Sequence, residues 1–190
     1  MIPSLILNAL NAALVLGCIV WGVRVTDPPR LLFRYFTTLS NVLSAAASIA
    51  VSIAWLCGGL PAWALFLKYA GTAAVTVTML TVFFVLGPLL HEWKELLSGA
   101  QLLLHLICPL LAIVSFLAFE KERPMSAWAI VAGIVPVLLY AVLYWYRVIC
   151  VPEARKWPDF YGFNRNGKWP LMCALMLLGA SLISVALWLI

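Results

Sequence analysis

The chain has 190 residues, of which 65% are hydrophobic and 10% charged, with a formal net charge of +5 and a mean hydropathy of +1.07. Soluble domains carry about 25% charged residues, so a water-soluble core is excluded as the home for this much apolar surface and a bilayer is expected. The basic residues are divided among short loops and form no continuous face, which excludes nucleic acid as a partner and fits Lys and Arg placed beside membrane spans.

Crossing the hydrocarbon takes about 20 apolar residues, and six segments reach that length: 3–24, 35–57, 66–90, 99–119, 126–149 and 169–190. The expected fold is all-α, a polytopic membrane protein with one domain over 1–190 and a single bundle of six transmembrane helices. The first span, which has Asn8 and Asn11 on a shared face, meets its first arginine only after the apolar run. It is therefore expected to be retained rather than cleaved as a signal. Span two opens with RYFTTLSN at 34–41 and carries Thr37, Asn41, Ser44, Ser48 and Ser52 at steps of three or four, which lines them along one face. Span three contributes Thr72 and Thr76, with Thr78 and Thr81 expected to point elsewhere. Span four repeats a weaker polar stripe: Gln101, His105, Cys108, Ala112 and Ser115.

This division leaves all seven acidic residues in the connections and His105 as the only ionisable group inside a span. The serines read most simply as close-packing residues, and the two asparagines as partners between helices. Before span six lies the longest polar stretch, CVPEARKWPDFYGFNRNGKWP. Its aromatic residues suit either an interfacial anchor or a lid over a lateral opening. Connections one, three and five hold nine of the twelve Lys and Arg residues, against Lys68, Lys121 and Arg123 on the other side. The positive-inside rule then places both termini outside.

Spans two and four run in the same direction, so Thr37 and His105 enter from the same surface at similar depth and could meet. A threonine hydroxyl needs a base within hydrogen-bond reach to act as a nucleophile, and an imidazole suits the proton abstraction and return. Gln101 or Asn41 is expected to orient the ring, since no carboxylate lies in the spans. An oxyanion would be met by an Asn or Gln side chain or by free amides at a helix start. Thr38 and Ser40 are the adjoining hydroxyls of the same run, with supporting or substrate-binding roles, and Thr38 is one residue of register from Thr37. HEWKE at 91–95 supplies one histidine and is not the two-histidine zinc motif. The cysteines form no CxxC pair, and no metal or cofactor is expected.

With RYFTTLSN opening span two, LLLHLICP in span four and WPDFYGFNRNGKWP before span six, the chain resembles the androgen-induced and androgen-dependent TFPI-regulating membrane proteins. It is more similar to their small bacterial six-span relatives, which implies a bacterial cytoplasmic membrane. The resemblance implies a threonine hydrolase of fatty acid esters of hydroxy fatty acids, with Thr37 as nucleophile, His105 as base and a membrane lipid or fatty acyl ester as substrate. The animal members carry a histidine-bearing stretch where this chain has Leu102, Leu103 and Leu104. A non-catalytic scaffold, or a binder of lipid or pigment, would use the same polar residues to join helices. A proton-coupled transporter fits less well, without an acid in the spans or a repeat.

Overall fold

A computed structural model describes residues 1–121 and 125–190. Glu122 and Arg123, counted above among the loop charges, lie outside the described residues. Among the described residues six helices are long and apolar enough to cross a membrane: α1 (Ile2–Val25), α2 (Phe36–Leu56), α3 (Ala62–Leu90), α4 (Gly99–Glu120), α5 (Trp128–Cys150) and α6 (Trp169–Leu189). The all-α six-helix bundle is the expected one. Proline at the first turn of α1 and α6 starts those helices where a missing N–H costs nothing.

The central rod is α3, which packs against α2, α4, α5 and α6, while α1 packs against α2 and α4. Half of the apolar window of α3 is buried, against 17% for α6. Small residues permit the close approaches. A Cβ added at Gly71 would stand 3.1 Å from the Cα of Ser44 on α2. One added at Gly133 of α5 would overlap Ser184 of α6 and lie 2.9 Å from the Tyr69 ring of α3.

Several helices contain a wide, π-type turn: α3 at Val82–Leu86, α4 at Leu103–Ile107 and Phe116–Glu120, and α5 at Tyr146–Cys150. The turn at Leu103–Ile107 has a local cause. Pro109 stands four residues after His105 and has no N–H for the His105 carbonyl, so the regular ladder cannot continue through it. Just before it, the Cys108 amide bonds back five residues to the Leu103 carbonyl. Turns of this kind recur at functional sites.

Two expectations about charge are corrected. Glu120 does not lie in a connection, since α4 runs through it, and Lys68, counted with the loop charges although it falls inside the 66–90 segment, belongs to α3. His105 is therefore not the only ionisable group in the bundle. The Lys68 ammonium and the Glu120 carboxylate lie 3.7 Å apart, with side chains 1% and 0% exposed. Buried charges are tolerated when paired and hydrogen-bonded, and these are. Ser4 donates to Glu120 Oε1 at 2.9 Å, and Asn8 and Ser115 donate to the same oxygen. Lys68 Nζ donates to Asn8 Oδ1 at 2.6 Å, and Asn11 donates to Ser44 and Ser48 at 3.1 and 3.0 Å. The asparagines of α1 thus join α2, α3 and α4, away from Thr37 and His105, as their direction of entry implies.

Candidate active site

Helix α2 begins at Phe36 after the extended Tyr35, so Thr37 sits in its first turn. The amides of a helix start point out along the axis without intrahelical partners and carry partial positive charge. Thr37 is half-buried there. Its Oγ1 lies 3.4 Å from Nε2 of His105, which projects from the wide turn of α4 and is buried. The other ring nitrogen, Nδ1, lies 2.7 Å from the backbone carbonyl of Leu96. A carbonyl only accepts, so Nδ1 carries the proton and Nε2 presents a lone pair toward Thr37. The separation is at the long end of hydrogen bonding, as is common before substrate tightens a catalytic contact.

Asn41 ties the two helices together. Its Nδ2 donates to the Thr37 carbonyl at 2.8 Å and to the Leu104 carbonyl, next to His105, at 3.0 Å. Asn41 therefore sets the spacing of Thr37 and His105, and the role expected for it, orienting the imidazole, falls to Leu96. Both Asn41 protons are used, which removes it as an oxyanion donor. Gln101 does not orient the ring either; it is exposed. The wide turn at Leu103–Ile107 begins between Gln101 and His105, and an even step of four no longer keeps both on one face.

The remaining hydroxyls of the run divide. Ser40 Oγ lies 3.1 Å from the Thr37 carbonyl and 2.8 Å from Thr78 Oγ1 of α3. Thr38 is buried, and no hydrogen bond joins it to His105 among the described residues. Of the two adjacent threonines, Thr37 is the one that faces the imidazole.

On its other side Thr37 borders a narrow cavity of about 40 Å³, room for a few water-sized groups and smaller than a small-molecule site until its walls part. Its walls are apolar and aromatic, drawn from the start of α2, the second half of α3, α5, α6 and the loop before α6. Thr78 and Thr81 line it, whereas Thr72 and Thr76 of the same helix do not. The wide turn at Val82–Leu86 lies between these threonines and the end of α3. Thr81 and Met176 also border an open groove on the outer surface between α3 and α6.

Tyr161 and Phe163 of the long polar loop form part of the cavity wall. The Asp159 carboxylate knots this loop: it accepts from the Tyr144 hydroxyl at 2.8 Å and from the amides of Phe163 and Asn164 at 2.9 and 2.8 Å. Gly162, at φ +66°, makes the turn between Tyr161 and Phe163. The loop's aromatic content is legible in its sequence, but the inward direction of Tyr161 and Phe163 is not. The acid three residues before a glycine is the one signal of a closed turn there.

Among the described residues no group of three or more potential metal ligands converges. No family model matches the chain, and neither a curated protein nor a solved structure matches it, so the reading of the site rests on its own geometry.

Proposed function

We propose that the protein is an intramembrane hydrolase of lipid esters, with Thr37 as nucleophile and His105 as general base. The single observation that carries the reading is the Thr37–His105 contact, with Nδ1–H fixed on Leu96 and an apolar cavity on the far side of the hydroxyl. His105 Nε2 takes the Thr37 proton as Oγ1 attacks the ester carbonyl carbon. As the tetrahedral intermediate collapses, the C–O bond to the alcohol breaks and Nε2–H returns the proton to the leaving oxygen. Water, deprotonated by His105, then cleaves the acyl-threonine and releases the acid.

The cavity walls hold no carboxylate, ammonium or guanidinium, so the part of the substrate they receive is an uncharged acyl chain. The resemblance of RYFTTLSN and LLLHLICP to the threonine hydrolase family supports fatty acid esters of hydroxy fatty acids, or similar esters, as substrates. On the charge bias of the loops the site opens near the cytoplasmic leaflet, with both termini outside.

The test is labelling of the purified protein by a fluorophosphonate probe, together with hydrolysis of a long-chain ester in detergent. Thr37→Ala and His105→Ala are each expected to lower both by on the order of 10³-fold or more, as removal of a nucleophile or its base does. Thr38→Ala is expected to retain them. Unchanged labelling in both the Thr37 and His105 variants rejects the assignment and leaves a non-catalytic bundle in which these residues join helices.

A further inference from the structure

Attack on an ester leaves negative charge on the former carbonyl oxygen, and a donor must wait where that charge appears. Three tyrosines line the cavity beside Thr37: Tyr140, Tyr144 and Tyr161. Two have committed their protons, Tyr140 to the Arg34 carbonyl at 2.7 Å and Tyr144 to Asp159 at 2.8 Å. Tyr161 differs. Its oxygen accepts from the Phe36 amide at 2.9 Å, and the Thr37 amide also bears on it, while the acceptor beside its own proton is the neutral Tyr140 hydroxyl oxygen, which an oxyanion displaces. A phenol that accepts from the first amides of α2 is polarised into a stronger donor, one residue from the nucleophile.

We propose that the Tyr161 hydroxyl donates the hydrogen bond that holds the oxyanion formed when Thr37 attacks the ester. The inference rests on the hydrolase reading and adds a catalytic residue to it from the loop before α6. Catalysis then requires that loop closed, because the Asp159 knot is what carries the phenol to the start of α2. The proton stays on the oxygen across the neutral range, since burial pushes the Tyr161 phenol up to about 12. The titratable groups around it are the phenols of Tyr35, Tyr140 and Tyr144 and the Asp159 carboxylate; His105 lies beyond Thr37.

The experiment compares wild type with Tyr161→Phe in steady-state hydrolysis of a long-chain ester in detergent. The expected result is a fall in kcat of about 10²- to 10³-fold, the usual loss for one oxyanion donor, with KM within about twofold. A kcat within about threefold of a wild type that does hydrolyse the ester overturns the role of Tyr161 and leaves the hydrolase reading standing. A wild type that neither hydrolyses the ester nor reacts with the fluorophosphonate overturns both. Should Tyr161→Phe fail to fold, a ring-fluorinated tyrosine at 161 keeps the contacts but is a stronger acid. Its alkaline loss of kcat is expected at lower pH than in wild type, and an unmoved pH profile overturns the inference.

Discussion

Asn41 shows how one side chain can decide the geometry of a pair it does not belong to. A primary amide has two protons, and here they bridge the backbones of α2 and α4 beside Thr37 and His105. Asn41→Ala is expected to cost about 1–3 kcal/mol, because two buried carbonyls lose a donor. It should also slow fluorophosphonate labelling by about tenfold or more, as misplaced reacting groups do. Thermal unfolding and labelling rates on the same sample check both. The positions of Thr37, Asn41 and His105 were legible in the sequence, since phase and span direction alone brought them to one surface. The division of labour was not. A backbone carbonyl such as that of Leu96, at the end of a one-turn helix between α3 and α4, has no residue signature, so the group that orients the imidazole left no mark, and Gln101 was the nearest visible substitute.

At the scale of elements, Pro109 and the wide turn before it are a single device. The proline removes the amide that would have bonded the His105 carbonyl, and the enlarged turn aims the ring toward α2. Pro109→Ala restores that amide and allows the turn to close to the regular helix. The expected outcome is thermal stability equal to or above wild type together with at least a tenfold loss of labelling, a combination that general damage would not produce. The helices themselves were legible because runs of about 20 apolar residues have few other homes. Helix phase was legible only where no wide turn intervened. Steps of four kept Ser44 and Ser48 together on α2 but separated Gln101 from His105 on α4. Boundaries were the weakest part: one more residue at the end of α4 was enough to carry Glu120 into the bundle, where it meets Lys68, two residues inside the expected third span.

For the molecule as a whole, the Lys68–Glu120 pair is the tie that holds α1 against α3 and α4. Removing one member strands a buried charge, which costs about 3–5 kcal/mol. Lys68→Met and Glu120→Gln should each lower stability by about that amount, and the double variant by clearly less than the sum, measured by equilibrium unfolding in detergent. Orientation is checked separately. Cys57 follows α2, Cys150 ends α5, and both are exposed on opposite sides of the bundle by chain direction. In sealed right-side-out vesicles, single-cysteine variants should react with a membrane-impermeant maleimide at Cys57 and not at Cys150; the reverse pattern inverts the topology.

The enclosing wall of the cavity is uneven. Toward α2 and α5 it is shut by the Phe36 and Tyr140 rings, whose centroids are 5.1 Å apart. Toward α3 and α6 the partition between the cavity and the outer groove includes Thr81 and the pliable Met176 thioether, 4.0 Å from the Thr81 hydroxyl. The bonds Ser184 and Trp188 make to Tyr69, Ile130 and Met125 fasten α6 near its far end, well below Met176. A tail sliding in from the surrounding oil would therefore have to displace little more than a sulfur and a methylene or two, never crossing the headgroup layer, and could do so while α2 and α4 hold their reacting pair in place.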